Sequence, residues 1–164
     1  SARCAASGGP LHEAQSMSET GVRGKLDFES LRRGIEDGSI ETVLCVIPDL
    51  YGRLMGKRIV GRYFLEEIAA GGMHACNYLY ACDMEMDPTP GYAFTSWASG
   101  YGDMHARPDW PSLRTAAWLD RTALVICDSF EEESSNLIEV APRTLLRRQV
   151  DRAAARGYVP HVAS

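Results

Sequence analysis

Apolar and polar positions recur along the chain in two different periods, and the switches between them mark the elements. From Asp27 the apolar residues Phe28, Leu31 and Ile35 fall three and four apart, which is one face of a helix; Asp27 can cap it and Gly38 can end it. Glu41 to Pro48 is then a nearly continuous apolar run, the pattern of a strand buried on both faces. Asp49-Leu50-Tyr51-Gly52 supplies turn chemistry, and Arg53 to Val60 returns as a more polar strand, so the two strands form a hairpin. A short helix runs from about Arg62 to Ala70, with Phe64, Leu65 and Ile68 on one side and Glu66 and Glu67 on the other. Gly71-Gly72 stops it, and His74 to Cys82 reads as a third strand.

Strand, strand, helix, strand is the order of a small mixed sheet gripping one helix, an α+β, β-grasp-like arrangement. Further along, Thr122 to Cys127 is the clearest buried strand, Glu131 to Asn136 a polar turn, and Leu137 to Val140 a short return strand. Pro142 opens the longest helix, whose buried stripe is expected to be Leu146, Val150, Ala153 and Ala154, with Gly157 at its end. Arg148, Arg152 and Arg156 repeat at four-residue spacing on another face, where like charges repel unless acids or solvent meet them. Tyr158 to Ser164 begins to read as a strand and the sequence stops, so the chain is expected to be the front part of something longer.

Between these elements lies Asp83 to Asp109, which the remaining elements are expected to present as a long loop. It carries Tyr92, Phe94, Trp97 and Tyr101 among Asp83, Glu85, Asp87, Asp103 and Asp109, and its prolines and glycines oppose regular structure. Loops of this length in compact domains are functional or disordered, and disordered segments are poor in aromatic residues. The functional reading stands beside a plainer one, in which the rings only plug a small core.

Composition narrows the function. The chain of 164 residues is 45% hydrophobic and 24% charged, an ordinary globular mixture. Its net charge of −5 gives nucleic acid nothing to hold, and no apolar run approaches the roughly 20 residues that span a bilayer. Residues 1–24 are expected to be a disordered leader, with Met17 a plausible true start; they lack the apolar core of a secretory signal. The five cysteines, at 4, 45, 76, 82 and 127, are odd in number and form no CxxC pair, so neither a disulfide framework nor a zinc site is indicated. Cys45 and Cys127 read as buried thiols of a reducing, cytoplasmic compartment. His74, Cys76 and Cys82 match no zinc spacing, and Glu131-Glu132-Glu133 reads as a solvated hairpin tip, so no metal ligands are assigned.

The order of several motifs from Val46 to Ser164 resembles the amino-terminal part of the glutamine synthetase superfamily. The matching pieces are Asp49, Gly52 and Gly56-Lys57-Arg58; Ser96-Trp97, then Gly102-Asp103-Met104 and Pro108-Asp109; Val125 to Asp128; and Pro142-Arg143. The loop is similar to that of actinobacterial-type enzymes that join glutamate to amines other than ammonia. The resemblance implies an ATP-dependent ligase acting through γ-glutamyl phosphate with Mg or Mn. It implies a homo-oligomeric ring in which this β-grasp domain, residues 25–130, completes a neighbour's active site, and in which 131–164 begin the catalytic domain. Most catalytic residues would lie beyond this chain, which alone is expected to be inactive and to hold no cofactor.

Trp97 and Asp103 match the family's loop residues and are the expected substrate-binding pair, with Asp103 also the candidate catalytic group that could take the amine's proton. Trp97 reads equally as a core anchor, and Asp103 after Gly102 as a turn residue. Ammonia-using members carry an Asp-Gly-Ser-Ser type segment where this chain has Met73 to Tyr78 without a carboxylate, so a larger amine is expected. The alternative is a non-catalytic β-grasp interaction module.

Overall fold

The expected hairpin forms, and the rest of the sheet grows from its first strand. In the computed structural model, which describes residues 24–161, β1 (Thr42–Pro48) pairs antiparallel with β2 (Leu54–Val60), Thr42 opposite Val60 and Pro48 opposite Leu54. Gly52, at φ +82°, lets the chain reverse between them. On its other side β1 runs parallel to β6 (Thr122–Glu131), which pairs antiparallel with β4 (Asp103–Pro108), which in turn pairs with β3 (Met73–Cys76). The order is β2-β1-β6-β4-β3, with the two-residue β5 (Arg114–Thr115) paired to β6. The most apolar strands, β1 and β6, thus take inner positions, as their composition requires.

Helices cover one face of this mixed α+β sheet. In α1 (Phe28–Glu36) the Asp27 carboxylate accepts from the Ser30 N–H at 2.7 Å, and Leu31 is fully buried. The second helix begins as α2 (Gly61–Tyr63), widens to a π-helical turn over Phe64–Ile68 and ends as α3 (Ala69–Gly71). Phe64 and Ile68 are its buried residues within the π-helical turn, and Trp110 packs edge-on against both Phe64 and Phe28. Leu31, Val43, Cys45, Ile47, Phe64, Met104, Val125 and Cys127 share one core. Cys45 and Cys127 are buried as expected, and the hydrogen-bonding Cys45 thiol together with burial pushes the Cys127 thiol far up.

The structure corrects five expectations. The strand expected over His74–Cys82 ends at Cys76 and continues as a 3-10 turn, Asn77–Tyr80. Cys76 is the last residue with a partner on β4; the Asn77 N–H donates to the Gly102 carbonyl, and the opposing chain before Gly102 is irregular. The expected loop to Asp109 ends early, because Asp103–Pro108 is β4. Its alternation of inward Met104 and Ala106 with outward Asp103, His105 and Arg107 is short and mostly polar, so it carried little hydrophobic signal. Leu137–Val140 makes a single bridge to Phe130 rather than a strand.

The last helix, α4 (Pro142–Ala154), starts at Pro142 as expected, but its expected buried stripe faces solvent: Leu146 is 61% exposed and Val150 39%. Ion pairs hold it instead. Arg143 reaches Asp109 at 2.5 Å and Asp128 at 2.8 Å, and Arg147 reaches Asp128 at 3.0 Å. Arg148 finds its acid in Glu139 at 2.8 Å. Tyr158 to His161 form no strand, and residues 162–164 lie outside the described residues. The expected leader lies outside them up to residue 23; Gly24 already accepts a hydrogen bond from the Thr115 N–H. No helix among the described residues is long and apolar enough to cross a membrane.

Candidate functional site

The irregular stretch before β4 is tied down residue by residue. Asp49, in the turn after β1, is 3% exposed; its carboxylate accepts from the N–H groups of Tyr51 and Arg53 and from Arg53 Nε at 2.6 Å. Burial raises the Asp49 pKa, but the Arg53 guanidinium and the two backbone donors outweigh it and hold the carboxyl below the usual range. The far side of the same guanidinium donates to the carbonyls of Met84 at 2.7 Å and Asp83 at 2.9 Å, clamping the start of the loop to the hairpin. Asp83 turns its own carboxylate to the N–H groups of Glu85 and Asp87. Of the three acids there, one is thus spent on the loop backbone, and Glu85 and Asp87 are exposed.

Further on, buried Thr95 donates to Asn77 Oδ1 at 2.7 Å. Ser96 and Ser99 close a turn on each other: the Ser96 N–H donates to Ser99 Oγ at 3.0 Å and the Ser99 N–H to Ser96 Oγ at 3.2 Å. Trp97 rides on this turn with 85% of its surface exposed. It is therefore at the surface and not an anchor in the core. Tyr101 meets it edge-on at 5.2 Å, and Tyr78 meets Tyr101 at 5.8 Å, so three rings step from the turn to the 3-10 helix.

Asp103 opens β4 opposite Cys76 and is exposed. It borders two hollows. One, of about 580 Å³, lies between β2 and β3 and includes Leu54, Lys57, His74, Tyr78 and Met86. The other, of about 310 Å³, is bordered by Phe94, Ile138 and the exposed turn Glu131-Glu132-Glu133. Carboxylates thus surround the second hollow, an environment that favours a cation.

Sequence reasoning placed Trp97 and Asp103 on one loop; the structure keeps both exposed but puts Asp103 on a strand. It also assembles a group that sequence reasoning missed. His74 and His105 face each other across β3 and β4 with ring centroids 4.1 Å apart, and the Glu132 carboxylate is 3.7 Å from His74 Nδ1. His105 Nδ1 is buried without a hydrogen-bond partner. The three residues are far apart in sequence, and only strand pairing joins them.

No family model matches the chain. Over 139 residues it is 42% identical to the γ-glutamylethanolamide synthetase GlnA4 of Streptomyces coelicolor, and 32% identical to a glutamate–isopropylamine ligase of a Pseudomonas species; each match covers 85% of this chain. The chain spans 30% of the length of both relatives. The ligand-free structure of GmaS superposes with a TM-score of 0.57 at 26% identity, covering 79% of this chain and 26% of that one. Along most of its length and in its fold, the chain thus resembles part of the glutamine synthetase-like enzymes to which these relatives belong.

Proposed function

We propose that the chain is part of an ATP-dependent ligase joining the γ-carboxylate of glutamate to an amine, and that its share of the work is to present Trp97 and Asp103 to that amine. The observation that carries the reading is the exposed indole of Trp97 on a turn whose backbone is closed by Ser96 and Ser99. A large ring held at the surface loses the benefit of burial unless something covers it. A protonated amine or an alkylamine suits it, since an ammonium over an indole face gains about 0.5–2 kcal/mol. Asp103 and the glutamates beyond it add the complementary charge. The acceptors named for the two relatives, ethanolamine-derived and isopropylamine, are both larger than ammonia. The stretch Met73 to Tyr78, without a carboxylate, supports the same choice here.

In this reading residues 25–130 are the β-grasp domain of a cytoplasmic ring enzyme, and 131–164 lead into its catalytic domain. The residues described do not fit ATP with Mg or Mn. Their one converging set of three ligand side chains contains two imidazoles, whereas magnesium selects oxygen donors.

The test uses the purified full-length enzyme, glutamate, ATP and a panel of amines, with phosphate release as the readout. W97A should raise the KM for the amine about tenfold, roughly 1.4 kcal/mol, and leave the KM for glutamate near its starting value. An equal loss for both substrates makes Trp97 structural. A wild-type enzyme whose phosphate release ignores every amine ends the ligase reading.

A further inference from the structure

Two imidazoles and a carboxylate converge on the outer side of the sheet, and of the three only Glu132 also borders the acidic hollow beside Asp103. His74 comes from β3, His105 from β4 and Glu132 from the turn immediately after β6. One ligand atom from each lies within 4.8 Å of the others. Their backbones are held by the sheet: His74 is opposite His105, and the residue before Glu132 is opposite Met104. The turn carrying Glu132 is closed by the Ser135 N–H on the Glu131 carbonyl, and the Ser134 hydroxyl donates to the Glu131 carboxylate.

From this geometry we propose that His74, His105 and Glu132 form a binding site for a divalent transition-metal ion such as zinc. The donor set is the argument. Two neutral imidazoles and one carboxylate suit zinc, copper, nickel or ferrous iron, and three protein ligands leave a further position for water. Ligand atoms around such an ion at about 2.0–2.1 Å stand roughly 3.3 Å apart. The present spacing, within 4.8 Å, needs a closure of up to about 1.5 Å, which the exposed side chains of His74 and Glu132 can make by rotation.

An independent observation points the same way. His105 Nδ1 is buried with no hydrogen-bond partner, a deficit that folded proteins seldom leave standing, and coordination through that nitrogen would give it one. The nearby thiol is not a ligand: Cys76 Sγ is engaged with the Gly102 carbonyl at 3.4 Å. The plainer account, a surface His–Glu ion pair beside a second histidine, leaves that nitrogen unsatisfied. The site stands whether or not Asp103 binds an amine.

Calorimetric titration of the purified protein with zinc chloride alone, and absorption spectra with cobalt(II), decide between the two. The proposal expects one saturable zinc equivalent of micromolar or tighter affinity that weakens at least about tenfold in H74Q and in E132Q, both at exposed positions that tolerate the change. The H105Q variant should behave alike. Should it fail to fold, the two exposed variants carry the test. The C76S variant should bind as the wild type does, and bound cobalt should show ligand-field bands without a thiolate charge-transfer band. Zinc affinity unchanged in H74Q and E132Q, or a thiolate band that C76S removes, overturns the proposal.

Discussion

Gly56 shows what one residue can decide. It lies opposite Val46 in the hairpin, and a Cβ placed there would stand 1.9 Å from the Cys45 carbonyl oxygen. No rotation of a side chain relieves a clash with backbone, so the strands must part. G56A should cost about 2–4 kcal/mol of stability, read as a fall in the urea midpoint; a variant within about 0.5 kcal/mol of the wild type would show that the strands approach less closely than described. Its neighbour Arg58 explains the rest of the Gly-Lys-Arg run. The Arg58 guanidinium crosses to Thr42 Oγ1 at 2.9 Å and Thr122 Oγ1 at 3.0 Å, stitching β2 to both inner strands. The run was visible in the sequence as a motif, whereas its cause is a close approach that only pairing creates.

At the scale of elements, the hairpin turn and the loop behave as one unit because Arg53 bonds both. The Asp49 carboxyl has a lower pKa folded than unfolded, so it contributes stability above the ordinary carboxyl range and loses it as pH falls through its folded value. D49N lacks that contribution at every pH. The gap in denaturation midpoint between wild type and D49N should therefore be widest near neutral pH and shrink below about pH 4; a gap that stays constant down to pH 3 counts against the tie. Elements α1, β1 and β6 were legible because their apolar residues recur at 3.6 or form continuous runs, and β2 because turn chemistry returns the chain beside β1. β4 was hidden because its inward positions are only Met104 and Ala106, and its outward ones are charged or imidazole groups. The error mattered, since β4 carries both Asp103 and His105.

For the molecule as a whole, α4 is the telling element. Its ion pairs with Asp109 and Asp128 tie it to the sheet, while Leu145, Leu146 and Val150 stay exposed along it, with Tyr158 and Val159 exposed just beyond. Exposed apolar surface of this kind drives association. The 164-residue chain on its own should therefore sediment as a mixture of species, and L146E combined with V150E should return it to monomer without changing its circular dichroism. A wild-type chain that is already monomeric at high concentration would show this face to be harmless.

Periodicity and motif order by themselves determined the hairpin, the two long helices, the buried thiols and the family resemblance, because each rests on residues close in sequence or on the order of separate pieces. They also singled out Trp97 and Asp103. Tertiary structure alone decided which apolar faces are covered, since α4 shows the pattern of burial and lacks a partner among the described residues. It decided that Trp97 is bare, which depends on a turn closed by two serines. It also brought His74, His105 and Glu132 together, because strand pairing relates residues that no local period connects.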